Sequence, residues 1–588
     1  MKYNLAPVAQ NSPYDGSYTH QTTIDFNQVV PLFSNEVLIG DDLNADVRGV
    51  IRLSPLNFPT YGNFRLKLVT MFVPYYQVFK DFDAWYSGIS EDSEGHITAP
   101  SIPRVWLLNF LTSDPFGETL VATPSNPISK ELIDFQYFTS DGTQKFWHFN
   151  NFGRYVYKIF QMLGYCLETN ASLSPTSAYA TGRHYNGLPL LAFFKGFNDY
   201  MSLPTNYNYN VIHRVLATLY NGGSFSQLDV DDLIQAFQMV RPLMGSDYFT
   251  SAFNDFNNPG NTVPSVVGSG SIDSSLDAYF SRNSGSSFIS NDKGQFFDSP
   301  DGYTSAYQLR FLRSLDAFVR RNNLAGSRAA QRIFSRFGIK SEDFRSNYAH
   351  VINITRSNFN VGDIMSTTPN ENPALGLGTY GGQSIAQVEH KFNFQSADFG
   401  HLITYAFIEV DASYMNTISP TCLRSEYLDF YQPEFDGVGL QPVPYSQLTN
   451  EPGIDVVGAP YSGNKIFGFV PRYEDYRTNI NKITGDFVHL SSLWPWHFGR
   501  DFRSYYKDGV GLNIKPQSNN FQFVGNEFDR IFVTDTDSTP DGDIYDHFFC
   551  AFAIQLNGRR RMKSRAGSID FKDGQLAIEA LGKNVQSV

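Results

Sequence analysis

Apolar and polar residues alternate with a period of two in several stretches near the start of the chain. Thr22, Ile24 and Phe26, followed by Val29 and Val30, predict an extended arm. Val47, Val50, Ile51 and Leu53 lead to a break at Ser54-Pro55, and Phe64, Leu66, Leu68 and Thr70 alternate with Arg65, Lys67 and Val69 as far as Pro74. One apolar and one wet face is the pattern of a half-buried strand. Strand character returns at 388–411, 463–472 and 544–556. Strands are therefore expected mainly from 20–75 and 388–556, with 76–387 as large insertions and 557–588 as a C-terminal tail. Strands from both chain ends predict one antiparallel β domain spanning 1–588.

Between the strand regions the spacing turns helical. Tyr155, Ile159 and Leu163 share one face of 151–165, and Asp231 and Asp232 sit in the first turn of a helix near 229–241, stopped by Pro242. Over 303–322, Tyr307, Phe311, Leu315 and Phe318 form a stripe, and Gly326 separates that helix from one at 327–337. Residues 254–304 are rich in Asn, Ser, Gly and Asp without periodicity, and they are expected to form an exposed excursion anchored by Phe280, Phe288 and Phe296.

Composition sharpens this picture. The 588 residues exceed one ordinary core, and with 41% apolar residues and only 18% charged, charge-driven disorder is excluded. Aromatics reach 15%, beside 46 Gly and 30 Pro, which suits strands, turns and long ordered loops. Three cysteines cannot form a disulfide framework, and a reducing place of synthesis is expected. The first residues, broken by Pro7 and Pro13, lack the apolar segment of a signal peptide, and no run of 18 apolar residues predicts a membrane span. A net charge of −13 argues against a surface that binds nucleic acid everywhere, though not against a local basic patch.

No catalytic or cofactor-binding set emerges. His489 and His497 flank a segment containing Pro495 that gives no reason for both to face one metal, and Cys166, Cys422 and Cys550 read as small buried hydrophobes. Gly376, Gly378 and Gly381 spell a dinucleotide-like pattern, but neither a strand before it nor a helix after it is in place. In 535–546, Asp537, Asp541 and Asp543 are a weak cation candidate, since the position for a bidentate Glu holds Phe548. Two basic regions stand out in an acidic chain. Basic residues from Arg310 to Arg345 outnumber acids, and Arg559, Arg560, Arg561, Lys563 and Arg565 lie together without an acid between them. The second cluster is the candidate for phosphate contact, presented by a turn after the last strand. A glycan-binding or glycan-active β-sandwich enzyme is the alternative that aromatic-lined loops and paired carboxylates leave open.

Several ordered blocks carry a family resemblance: PLFSNEVLIGDDLNADVRGVIRLSPLNFPTYGNFRLKLVTMFVPYYQVFKDFDAWYSG at 31–88, RPLMGSDYFTSAF at 241–253, YQLRFLRSLDAFVRRNNLAGSRAAQRIFSRFGIKSEDFRSN at 307–347, YQPEFDGVG at 431–439, FGFVPRYEDYRTNINKITGDF at 467–487 and YDHFFCAFAIQLNGRRRMKSRAG at 545–567. Taken together they resemble the major capsid protein of the Microviridae, small icosahedral single-stranded DNA bacteriophages. The resemblance implies a viral jelly-roll β-sandwich, an eight-stranded antiparallel barrel with long loop and helical insertions. It also implies a non-enzymatic virion protein without cofactors that assembles in the bacterial host cytoplasm as a T=1 shell of 60 copies around circular single-stranded DNA. A small basic internal DNA-packaging protein and a host surface receptor are the further partners it implies. Abundant Phe and Tyr fit subunit contacts, because rigid rings supply large contact area at low entropy cost.

Overall fold

The computed structural model describes residues 11–58, 60–87, 97–103, 151–165, 184–203, 210–253, 348–362, 383–425, 427–436, 440–448, 466–502, 518–532 and 546–562, with a few single positions between them. Ten strands build two antiparallel sheets. In chain order they are β1 (Asn11–Asp15), β2 (Tyr18–Ile24), β3 (Val29–Val37), β4 (Asp42–Leu53), β5 (Phe64–Pro74), β6 (His350–Asn358), β7 (Asn360–Gly362), β8 (Gln383–Gln395), β9 (Gly400–Val410) and β10 (Phe548–Arg561). In the first sheet β1 and β2 both pair with β10, followed by β4, β8 and β7. The second runs β6, β5, β9, β3. Successive strands thus alternate between sheets from β2 through β5, which is jelly-roll wiring. Among the described residues no ladder joins the two sheets, so the strands form a sandwich and not a closed barrel.

Side-chain alternation sets each strand's orientation. In β4, Leu43, Ala45, Val47, Ile51 and Leu53 are buried while Asp42, Asn44, Arg48, Val50 and Arg52 face out. β10 repeats the pattern with Phe548, Cys550, Phe552, Ile554 and Leu556 inward. A one-residue slip would turn either set into water, which fixes the register of Cys550 opposite Ile51. β9 differs, being buried on both faces. Its outer side is covered by the insertion that follows β5.

Among the described residues, the longer helices of that insertion are α1 (Asn151–Met162), α2 (Leu188–Tyr200), α3 (Val211–Leu219) and α4 (Val230–Met239). α2 lies on β9 at close range. The Tyr405 hydroxyl donates to the Phe193 carbonyl at 2.8 Å, and a Cβ on Gly196 would stand 2.3 Å from that hydroxyl oxygen. Only glycine permits this approach. Tyr155 of α1 donates to the carbonyl of Val240 at 2.6 Å and contacts that of Val29 at 3.1 Å, tying helix, sheet and the end of α4 together. Phe160 and Phe194 both meet Phe237, so α1, α2 and α4 share one core with the sandwich. A second insertion, between β9 and β10, returns beside Phe26, whose ring meets Phe498, Phe528 and Phe548.

Two buried histidines are held by hydroxyl groups. His390 meets Thr70 at 2.6 Å and Thr355 at 2.7 Å, and His401 meets Ser34 at 2.6 Å and Tyr75 at 3.3 Å. Burial pushes both imidazoles down to about 4, so they are neutral in the folded protein.

Several boundaries differ from the sequence reading. The first strand begins at Asn11, ahead of 20. β6 and the start of β8 fall inside 76–387. β10 runs through Arg561, so the stretch expected as tail from 557 opens as strand. The reason is backbone pairing: Asn557–Arg561 is flanked by β1 and Asn557–Arg559 also by β4, whatever the side chains. Helices α2 and α3 lie between the helices read from the sequence, while α1 and α4 occupy 151–165 and 229–241. Cys422 is exposed, not buried. The excursion 254–304, the stripe Tyr307, Phe311, Leu315 and Phe318, and Gly376–Gly381 lie outside the described residues.

Candidate assembly and genome-contact surfaces

The basic cluster is split by the strand that carries it. Strand geometry turns Arg559 and Arg561 outward and Arg560 back over the sheet edge. Arg560 donates to the buried Asp41 carboxylate at 3.0 Å and to the Glu36 carbonyl at 2.7 Å, and its guanidinium lies 3.9 Å from the Tyr14 ring centre. It clamps β10 to the turn between β3 and β4. Arg561 passes over Gly40, where a Cβ would stand 2.6 Å from its Nε, so the missing side chain leaves room for it. Arg559 stands opposite Asp42 on one side and Pro13 on the other. Lys563 and Arg565 lie outside the described residues, as do Asp537, Asp541 and Asp543.

Arg559 and Arg561 sit at one end of a solvent-facing sheet surface. Successive cross-strand rows read Ile385, Arg52, Phe549, then Gln387, Val50, Ala551, Gln21, then Glu389, Arg48, Ala553, Thr19. The small Ala551 and Ala553 leave a shallow depression there. Arg48 is matched by Asp46 at 2.8 Å and Glu389 at 3.5 Å, and Lys391 also pairs with Glu389, so charge in the middle of the face is balanced. The arginine end is where this face offers positive charge to phosphate.

A second surface is aromatic. Tyr427, Phe430, Tyr431, Phe435 and Tyr476 are all exposed, Tyr427 by 76%. They come from two segments, and the contacts between them hold the patch rigid. Tyr431 packs on Tyr473 with ring centres 5.0 Å apart, the Tyr473 hydroxyl accepts from the Gln432 amide at 3.1 Å, and the Tyr476 hydroxyl accepts from the Tyr431 amide at 3.2 Å. Arginines interleave: Arg472 lies 4.9 Å from the Phe435 ring centre, Arg424 lies 4.1 Å from that of Tyr476 and pairs with Asp475, and Arg477 pairs with Asp436 at 2.6 Å. Tyrosine and arginine on a preorganised, exposed surface are the composition of protein–protein hot spots.

A third group is largely buried, where the second insertion rejoins the sandwich. The His547 Nδ1 lies 3.2 Å from both carboxylate oxygens of Asp25, and the Phe532 ring stacks on the imidazole with centres 4.1 Å apart and planes at 5°. Asp529 joins them, with one ligand-type atom from each residue within 4.8 Å of the others. Beside them Asp546 accepts from Thr23 at 2.5 Å, from Gln28 at 3.0 Å and from Lys158. Burial, then the neighbouring Asp25, pushes the Asp529 carboxyl up to about 8. Burial also opposes charge on Asp546, but the Lys158 ammonium outweighs it and holds that carboxyl below its usual range.

These three surfaces were unequally visible in the sequence. The arginines were, while the split among them depends on strand phase. Of the aromatic patch, Tyr431, Phe435 and Tyr476 lie within the blocks 431–439 and 467–487 while Tyr427 and Phe430 lie just before them, and the patch has no spacing motif. The Asp25–His547 pair joins residues 522 apart, which no motif records. Ser34 and His401 make a nucleophile-like pair, yet His401 is only 6% exposed and its other nitrogen meets Tyr75, so the pair is closed off inside the sandwich.

The chain matches a family model described as capsid protein (F protein) over residues 5–106 and 176–541. It is also similar to three proteins named capsid protein VP1. That of Chlamydia phage 1 is 22% identical over 559 residues, covering 85% of this chain and 89% of the relative. That of Bdellovibrio phage phiMH2K is 20% identical over 577 residues, covering 91% and 92%, and that of Spiroplasma virus 4 is 21% identical over 501 residues, covering 82% and 83%.

Proposed function

The chain belongs to the capsid protein (F protein) family, a structural major capsid protein of a Microviridae-type phage, and from that premise we propose that 60 copies close a T=1 shell around a circular single-stranded DNA genome. The observation that carries the assembly reading is the exposed aromatic–arginine patch built by Tyr427, Phe430, Tyr431, Phe435 and Tyr476 and backed by the buried Tyr473. A shell subunit buries such a surface against its neighbours, where rings lose little side-chain entropy on contact. The jelly roll supplies a rigid wall, and the insertions carry the contacts.

In this reading the arginine end of the first sheet faces the genome, with Arg559 and Arg561 reaching phosphate, and Lys563 and Arg565 continuing the basic stretch. Two free arginines per described edge are few against a subunit of net charge −13, so a small basic internal protein supplies the remaining neutralisation. A host surface receptor is a further partner in this reading. Assembly takes place in the bacterial host cytoplasm, and the protein acts without catalysis.

The test changes Tyr427→Ala together with Phe430→Ala, both exposed in the subunit. The expected result is a folded subunit with unchanged melting and loss of shells. Normal shell yield would remove the patch from the assembly contacts.

A further inference from the structure

We propose that Asp25, Asp529 and His547 form a binding site for one divalent transition cation of the Zn²⁺ or Mn²⁺ kind, which fastens the second insertion to the jelly roll. The donors are two carboxylates and an imidazole nitrogen, drawn from the turn after β2, from the helical turn Asn526–Ile531, and from the residue preceding β10. An imidazole in the set favours first-row transition ions over Mg²⁺ or Ca²⁺, which take oxygen.

Distances support the assignment. Charged N–H···O bonds to carboxylate run about 2.7–2.9 Å. The His547 Nδ1 instead lies 3.2 Å from each Asp25 oxygen. Two ligands bonded to one ion at about 2.0–2.2 Å stand about 3.0–3.5 Å apart, which is this separation. All three donor atoms fall within 4.8 Å, so small side-chain rotations bring them to a common ion. The ring is already oriented: Phe532 stacks flat on it and closes one side.

Charge points the same way. Asp25, Asp529 and Asp546 bring three carboxylates into one partly buried pocket, and Lys158 is directed to Asp546 and Gln28. The Asp25 and Asp529 charges raise each other's cost where water is scarce, and a divalent ion cancels both. The consequence is mechanical, because the three donors lie where the insertion after β9 returns to start β10. A bound ion ties that return to the turn leading into β3.

The test uses the full chain, freed of metal by chelation and dialysis, with Zn²⁺ as the probe. Bound metal is measured by mass spectrometry after equilibrium dialysis, and melting with and without Zn²⁺ is measured alongside. The expected result is one Zn²⁺ per chain, a rise in melting temperature, and affinity weakened by more than about tenfold in both Asp529→Asn and His547→Gln. Asp529→Asn keeps the size and shape of the side chain, and its melting without Zn²⁺ shows whether the variant is folded. Retention of full affinity by folded Asp529→Asn would overturn the site, as would absence of stoichiometric Zn²⁺ in the unsubstituted chain.

Discussion

Arg560 and Asp41 form an ion pair at 3.0 Å in which the carboxylate is wholly buried and the guanidinium is 16% exposed. The pair joins the last strand of the jelly roll to the turn between β3 and β4, and the Tyr14 ring covers it. Arg560 is therefore a structural clamp within a cluster whose other described members, Arg559 and Arg561, are exposed.

That division predicts different outcomes for neighbouring substitutions. Arg560→Gln leaves Asp41 buried without its cation and should cost about 3 kcal/mol, seen as a lower urea midpoint and fewer shells. Arg559→Gln with Arg561→Gln should leave melting and empty-shell yield unchanged while reducing packaged DNA. Equal effects of the two variants on melting would contradict the division.

The contact between α2 and β9 predicts a steric defect with a specific rescue. Gly196→Ala places a methyl group 2.3 Å from the Tyr405 hydroxyl oxygen and should destabilise the subunit by about 1–3 kcal/mol. Combining it with Tyr405→Phe removes the clashing oxygen, so the double variant should lose less than the sum of the single losses. Strict additivity in a denaturation cycle would contradict the contact.

His390 and His401 predict the acid limb of stability. Burial lowers each from 6.5 to about 4, so between those values the unfolded chain binds more protons than the folded one. Their contribution is fully present above pH 6.5 and is lost as pH falls toward 4. Melting measured across that window should decline with acid, and His401→Gln should flatten the decline. An identical slope in the variant would show that His401 does not carry it.

How much of this was legible depended on whether the signal was local. β4, β5, β9 and β10 declare themselves through runs such as Phe64–Pro74 and Phe548–Leu556, where one period decides the face. β6 does not: His350–Asn358 reads HVINITRSN, with six polar residues, and it is a strand because β5 pairs with it. α2 was hidden for the opposite reason. LPLLAFFKGFNDY is apolar on nearly every side, as a helix covered all round must be, and shows no stripe to read. The basic cluster was visible as composition, but whether Arg560 points out or in depends on where the strand ends. The Asp25, Asp529 and His547 group required the fold itself.

Assembly into a closed shell can be read from the mass of the expressed product. Sixty copies of a 66.3 kDa chain give a protein shell of about 4 MDa with icosahedral symmetry in particle images. That mass is the expected result, with the Tyr427–Tyr476 patch buried between neighbouring subunits. A different copy number in a homogeneous particle, or a shell that leaves this patch on open surface, would contradict it.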